Sequence, residues 1–378
     1  MRLLFIIDCF GSGGAQRQMV NLALGLKKRG HVIEFFIYHP EFNHFKDLVL
    51  NNGITIHEFY KRHRISIKLF GALRSIIKKG NYDLVLSFLD APNFYAEITT
   101  LGLNIPIIVS ERSVYPRKLT IPKWLMEQFH RLSDHIVVNS FFQKEMIIKV
   151  FPWMANRVSV IYNGVNTEIF KPVLTQKKGD VLNLIAISSV RRNKNAINLI
   201  KAIYFCKTNY KFRLKIKWVG SISDIKYYEV ANKLIAELGL QESWEWLGER
   251  KDIAELINAA DALIHPSFYE GLPNVICEAF ACGKPVLASN VCEIPRLVED
   301  GQRGFLFNPY DATDIAKVIY KFNNLDDNTI SKISHNAREF AIKRLSIEKT
   351  VYDFDDIILN VLLYSKKRKK NYFNTNQT

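Results

Sequence analysis

The sequence predicts an α/β chain of two Rossmann-like units, on three observations. A continuous apolar run at residues 3–7 leads into Gly11-Ser-Gly-Gly14 and then a helical pattern. The same order of strand, loop and helix restarts at Val181, after a polar stretch. The 378 residues are enough for two separate cores. Unbroken apolar strands are those of a parallel sheet covered on both faces.

The first unit reads in order as follows. A strand over 3–7 is followed by the glycine loop, a helix through Val20, Leu22, Ala23 and Leu26, a stop at Gly30 and a strand over 32–38. This is a nucleotide-type βαβ unit. It is not the dinucleotide G-x-G-x-x-G: Ala15 and Gln16 follow Gly14, and Tyr38-His39 closes the second strand where an acidic residue would be needed. A basic helix is expected over 64–79, with Ile65, Leu69, Leu73, Ile76 and Ile77 as its apolar stripe. Lys61, Arg62, Arg64, Lys68, Arg74, Lys78 and Lys79 charge this segment. It reads as a solvated face, with contact to anionic lipid headgroups as the alternative. A strand over 83–88 ends at Ser87-Phe-Leu-Asp90, and strand ends in open α/β sheets face the ligand crevice. A strand over 105–109 leads to Ser110-Glu111-Arg112-Ser113. Asn139-Ser140 ends a further strand and caps a helix over 141–150. A last strand over 158–162 and the turn Asn163-Gly-Val-Asn166 lead to a linker over 167–180.

The second unit opens with a strand over 181–188. Arg191, Arg192 and Lys194 follow, just before a helix from Ala196. Cations at a helix N-terminus suit a diphosphate. Strands over 214–219 and 244–248 flank a helix over 227–238, and Asp252 caps a helix ending at 259. A hairpin and edge strand are expected over 301–307, and helices over 312–323, 330–345 and 347–364. The last contains Asp353-Phe-Asp355; positions two apart do not share a helix face, so the pair reads as surface charge. Lys366-Lys-Arg-Lys-Lys370 opens a basic tail expected to be disordered.

The bulk numbers narrow the function. A net charge of +15 calls for an anionic partner. Residues 1–175 contribute +9 of it, from 22 basic and 13 acidic side chains. Aromatic and basic residues do not interleave as in ribonucleoprotein motifs, so no nucleic-acid partner is expected. The five cysteines are odd in number and form no C-x-x-C, which fits buried thiols in a reducing compartment. The N-terminal apolar run is too short for a signal peptide, and none is long enough to span a membrane. A cytoplasmic protein is expected, with peripheral contact on the inner face of the cell membrane.

The most informative stretch runs from His265 to Val286: His-Pro-Ser-Phe-Tyr-Glu270-Gly-Leu-Pro-Asn-Val-Ile-Cys-Glu278-Ala-Phe-Ala-Cys-Gly-Lys-Pro-Val. It reads as strand end, tight loop, helix and a stop at Gly283. Glu270 precedes the helix and Glu278 lies inside it, with the first-turn N–H groups between them, the usual seat of a phosphate. The order carboxylate, anion pocket, carboxylate matches the sugar, diphosphate and ribose of a nucleotide sugar.

This stretch resembles the E-x7-E signature of the retaining glycosyltransferases of family 4. The resemblance spans nearly the whole chain and is strongest over 181–309. It implies the GT-B fold, two facing Rossmann-like domains with a C-terminal helix crossing back to the first. The expected limits are an acceptor-binding domain 1–171, a donor-binding domain 172–346, the crossover helix 347–365 and the tail 366–378. Carried over, Glu270 meets the donor sugar, Glu278 the ribose, and Arg191 and Lys194 the diphosphate. Gly271, Leu272, Asn274 and Val275 complete the donor loop, Gly13 and Gly14 face the diphosphate, and Arg250 stands near the nucleobase. Many members carry a histidine near residue 90; here Asp90 is the candidate, with Glu111 facing the cleft and Arg112 meeting an anionic group. The Ser-Glu-Arg segment is similar to that of members building lipid-linked or surface polysaccharides. The implied reaction is retaining transfer of a hexose or N-acetylhexosamine from a nucleotide diphosphate sugar, with UDP as the expected nucleotide, to a hydroxyl of a glycan or lipid-linked glycan. No metal or other cofactor is expected. The alternatives are a sugar-nucleotide epimerase of similar fold and a non-catalytic nucleotide-sugar-binding protein.

Overall fold

The structure is a computed structural model describing residues 1–63, 66–112, 121–173 and 180–375. Arg64, Ile65, Ser113 and the linker residues 174–179 lie outside them. In chain order the elements of the first unit are β1 (Arg2–Ile6), α1 (Gly14–Lys28), β2 (Val32–Ile37), α2 (Lys46–Asn51), β3 (Thr55–Glu58), α3 (Ile67–Gly80), β4 (Leu84–Phe88), α4 (Asp90–Thr100), β5 (Ile107–Glu111), α5 (Ile121–Gln128), β6 (His135–Val138), α6 (Phe141–Val150) and β7 (Val158–Val160). All its pairings are parallel, in the order β3-β2-β1-β4-β5-β6-β7. The second unit holds β8 (Val181–Ile187), α7 (Ala196–Phe205), β9 (Arg213–Val219), α8 (Ile225–Glu237), β10 (Trp244–Gly248), α9 (Ile253–Ala259), β11 (Ala262–His265), α10 (Asn274–Ala281), β12 (Val286–Ser289), α11 (Ile294–Val298), β13 (Gly304–Phe307), α12 (Ala312–Asn323) and α13 (Asp327–Phe340). Its sheet is also parallel, in the order β10-β9-β8-β11-β12-β13. The final helix is α14 (Ile347–Thr375).

Each sheet reverses its strand order once, between β1 and β4 in the first and between β8 and β11 in the second. Loops leaving the carboxyl ends of two such strands diverge and open a crevice. These two points organise the chemistry below.

The division differs from the expected one. The first unit is Met1–Gly164 with Ile347–Thr378, and the second is Val165–Ser346. The boundary falls seven residues before 172 because residues 165–171 are tied to the second unit. Val165 N–H donates to the Leu345 carbonyl, and Arg338 donates to the carbonyls of Thr167, Phe170 and Ala281.

The last helix is part of the first core: Val351, Phe354, Ile358 and Val361 join the cluster built by Leu3, Phe5, Val20 and Phe88. Asp355 is therefore not surface charge. It is buried on this stripe, accepts from Arg29 Nε at 2.6 Å and meets His31 Nε2 at 3.0 Å. Asp353 does lie outside, paired with Lys349 one turn away. Asp355→Ala should cost about 1–2 kcal/mol, since Arg29 is half exposed and the pair partly screened. Thermal unfolding should fall by several degrees.

Other corrections are local. The helix extends through residues 366–375, where a disordered tail was expected. The segment 301–307 is no hairpin; Gly304–Phe307 is a parallel edge strand on β12. Asp252 makes no capping bond to α9 and instead holds Arg250. Among the described residues no helix is long and apolar enough to cross a membrane.

Candidate active site

At the switch point of the second sheet, two loops are laced together. Phe268 N–H donates to the Asn193 carbonyl at 2.9 Å, and Asn193 Nδ2 returns a bond to the Tyr269 carbonyl at 2.9 Å. Asn195, buried and left-handed at φ +61°, donates to the carbonyls of Pro266 and Pro309. Asparagine tolerates this backbone better than most residues. The lacing brings Lys194, from the loop after β8, against Glu270, from the loop after β11. Lys194 Nζ lies 2.5 Å from Glu270 Oε1, and His265 Nε2 lies 3.0 Å from the same oxygen. Burial alone would push the Glu270 carboxyl up; His265 and Lys194 outweigh it and hold it well below the usual carboxylate range. Both contacts fall on Oε1, so the carboxylate is fixed through one oxygen and ionised.

Glu278 lies in α10, behind Gly271, Leu272, Asn274 and Val275, which form the turn into that helix. Pro273 is the N-cap and Gly283, at φ +67°, follows the helix end, where a side chain would be strained. Arg191 precedes a short 3-10 turn, Arg192–Lys194, and is exposed with Arg192 at the mouth of the loop. Arg250 is exposed and bound to Asp252 at 2.6 Å. His265 and Asn193 escaped the sequence reading. Both act through loop pairing, which no periodicity announces.

The first sheet presents its own switch point. Gly13 is the N-cap of α1 and Gly14 its first residue, at the carboxyl end of β1. Asp90 opens α4 at the carboxyl end of β4. Leu89 before it sits at φ +77°, a conformation costing a non-glycine residue about 1–3 kcal/mol. Bonds from Leu89 N–H to Ser110 and from Asn93 N–H to Leu89 hold it there.

Lys123 of α5 reaches Asp90 at 2.7 Å, Glu127 at 2.7 Å and Glu111 at 3.2 Å. His130 meets Glu97 through Nδ1 at 2.5 Å and Glu127 through Nε2 at 3.2 Å. Glu111 does not face an open cleft. β5 runs through residue 111, and its side chain is buried among Asn93, Lys123 and His130. Burial and the Glu127 charge push Glu111 up; Lys123 and His130 outweigh both and bring it to about 2. Burial first, then Glu111, pushes Asp90 up to about 6. Arg112 meets no anion among the described residues: it lies over the rings of Phe88 and Phe354 and donates to Asn163 Oδ1. Burial lowers it to about 9. Lys123, Glu127 and His130 were missed by the sequence reading, although a polar stripe at i, i+4 and i+7 was there to find.

Comparison with known proteins follows this division. The model described as Glycosyltransferase Family 4 matches residues 12–169, and that described as Glycosyl transferases group 1 matches residues 167–340. The chain is 27% identical over 358 residues to the GalNAc-alpha-(1->4)-GalNAc-alpha-(1->3)-diNAcBac-PP-undecaprenol alpha-1,4-N-acetyl-D-galactosaminyltransferase of Campylobacter jejuni, covering 90% of this chain and 93% of that one. It is 30% identical over 277 residues to the alpha-maltose-1-phosphate synthase of Mycobacterium tuberculosis, covering 64% of this chain and 70% of that one. The crystal structure of Anabaena HepE in complex with UDP superposes with a TM-score of 0.84 at 21% identity, over 95% of this chain and 100% of that one.

Proposed function

The chain belongs to glycosyltransferase family 4 and has the GT-B fold, and from that premise we propose that it transfers a hexose or N-acetylhexosamine from a UDP-sugar to a hydroxyl of a lipid-linked glycan in surface polysaccharide synthesis. The observation that carries the reading is Glu270, a carboxylate fixed through one oxygen at the switch point of the second sheet. Such a group accepts a pair of sugar hydroxyls in one orientation. The C. jejuni relative's name specifies an undecaprenol-linked glycan, and the HepE crystals hold UDP; both favour this donor and acceptor class.

In the proposed step the acceptor oxygen bonds to the anomeric carbon as the bond from that carbon to the β-phosphate oxygen breaks. The electron pair leaves with the nucleotide, and the acceptor's proton passes to the departing phosphate on the same face, so the configuration is retained. Glu270 orients the donor sugar and Glu278 the ribose. Arg191 and Lys194 neutralise the departing charge, together with helix N-termini. Under this reading protein cations do the work of a divalent metal. Asp90, the half-buried carboxylate of the first switch point, receives the acceptor hydroxyl. Arg62, Lys68, Lys78 and Lys79, exposed along α3 and the loop before it, meet anionic headgroups beside the lipid-linked acceptor.

The test is a panel of nucleotide diphosphate sugars with membrane lipid extract in EDTA, read as released nucleotide diphosphate. Release from one UDP-sugar that depends on the extract and on Glu270 is the expected result. A requirement for added divalent metal would overturn the metal-free step. Binding of a donor without any turnover would overturn the transferase assignment of the acceptor class.

A further inference from the structure

The charged file behind Asp90 has no part in donor chemistry, yet it is built with care. Asp90, Glu97, Glu111 and Glu127 bring four carboxyls together with two cations, Lys123 and His130. Only Asp90 is substantially open to solvent, with 34% of its side chain exposed; Glu97, Glu111 and Glu127 are at 1% or less. Buried carboxylates of this kind persist only with fixed counter-charges. Glu111, Glu127 and His130 bring ligand atoms within 4.8 Å of one another, a spacing that could hold a metal ion. The Lys123 ammonium already stands against both of those carboxylates, so the cluster carries its own cation.

We propose that Lys123 is a positioning residue whose ammonium, anchored by Glu111 and Glu127, fixes the Asp90 carboxylate in the orientation and charge state in which it accepts the acceptor hydroxyl. The proposal rests on the reading of Asp90 given above. The geometry makes Lys123 a bridge. One end of the file is the half-open Asp90; the other is Glu127, held by His130, whose other ring nitrogen meets Glu97. A lysine confined by three carboxylates has little rotamer freedom, so the oxygen it holds on Asp90 is fixed with it.

Among the described residues, the charged groups facing Asp90 are Glu111 from β5 and Lys123 from α5. Glu127 and His130 lie one contact further in, and Glu97 stands on Asp90's own helix. The two direct neighbours act with opposite sign: Glu111 raises Asp90 and Lys123 lowers it. Removing each should therefore move Asp90 in opposite directions.

The experiment is a carbon-13 titration of the full chain labelled at aspartate Cγ, with the Asp90 resonance assigned by its loss in Asp90→Asn. Lys123→Met should raise the Asp90 midpoint by about 1 unit or more, and Glu111→Gln should lower it by a similar amount. Lys123→Arg should restore it. Extract-dependent nucleotide release, measured from pH 5 to 8, should carry an acid limb that follows the midpoint in each variant. General loss of structure would not produce shifts of opposite sign, and circular dichroism checks that each variant folds. If neither substitution moves the midpoint by more than about 0.3 unit, the role of Lys123 is overturned while that of Asp90 stands. If the midpoint moves but turnover ignores it, or Asp90→Asn retains full turnover, the reading of Asp90 fails and takes this inference with it.

Discussion

Glu270→Gln is expected to lower sugar transfer by about 100- to 1,000-fold, the range found when one preorganised polar contact to a transition state is lost. The substitution keeps the shape and removes the charge. Lys194 and His265 both lie against Oε1, so the neutral amide must hold two groups that were placed around an anion. The sugar hydroxyls lose a charge-assisted partner at the same time. UDP binding should change by less than about threefold under the proposed roles, because the ribose and diphosphate are assigned to other residues. Released UDP gives the rate and calorimetry the affinity. A loss of affinity with the rate intact would place Glu270 in uniform binding instead of orientation. The pH dependence adds a check. Glu270 is held well below the usual carboxylate range by His265 and Lys194 against its burial, so it stays ionised throughout pH 5 to 8. An acid limb in that window belongs to another group, and Asp90, pushed up to about 6, is the one placed to supply it.

Gly304→Ala should be strongly damaging to the second unit, outside its active site. Gly304 pairs with Val286 at the start of the edge strand and sits at φ +153°. An added Cβ would come within 1.8 Å of the Val286 carbonyl oxygen, and the next nearest atoms are also Val286 backbone. No side chain can swing aside, so the strand must shift and weaken its ladder. The backbone conformation alone costs an alanine about 1–3 kcal/mol. With lost pairing the total should exceed about 3 kcal/mol, lowering the unfolding temperature by about 6–12 °C for a unit of this size. Ordinary thermal stability in the variant would show that β13 can slide outward at little cost.

The sequence was most legible where an element and its ends are written locally. The loop and helix from Glu270 to Gly283 share one short segment, and its turn, its helix and its stop are all adjacent in the chain. The Lys194 loop was legible for the same reason. Legibility fell where a partner is distant. His265 and Glu270 meet around a loop, and Asn193 laces two loops 76 positions apart. Glu111 was misplaced because the strand was expected to end at 109; β5 keeps its pairing with β6 as far as Glu111, opposite Val138, and carries that side chain inside. Asp355 was misjudged because spacing told only that it does not share a face with Asp353. Its place beside Val351, Phe354 and Ile358 follows helical spacing, but a carboxylate on an apolar stripe becomes legible only once Arg29 and His31 are seen to meet it.

The chain enters the second unit at Val165 and leaves it at Ser346, and these two residues form a bridge with each other. The second unit is thus an insertion, closed at its base, within a first unit whose last element, α14, follows it in sequence. On a ribosome the order of completion is inverted. β1 to β4 are made before α14, so Phe88 and Val20 must wait, partly uncovered, for Phe354 and Ile358. The inserted unit can finish folding while its host is still short of a wall. Val20 and Phe88, in the elements next to the glycine loop and Asp90, are therefore covered only once α14 is made, although their own elements precede it.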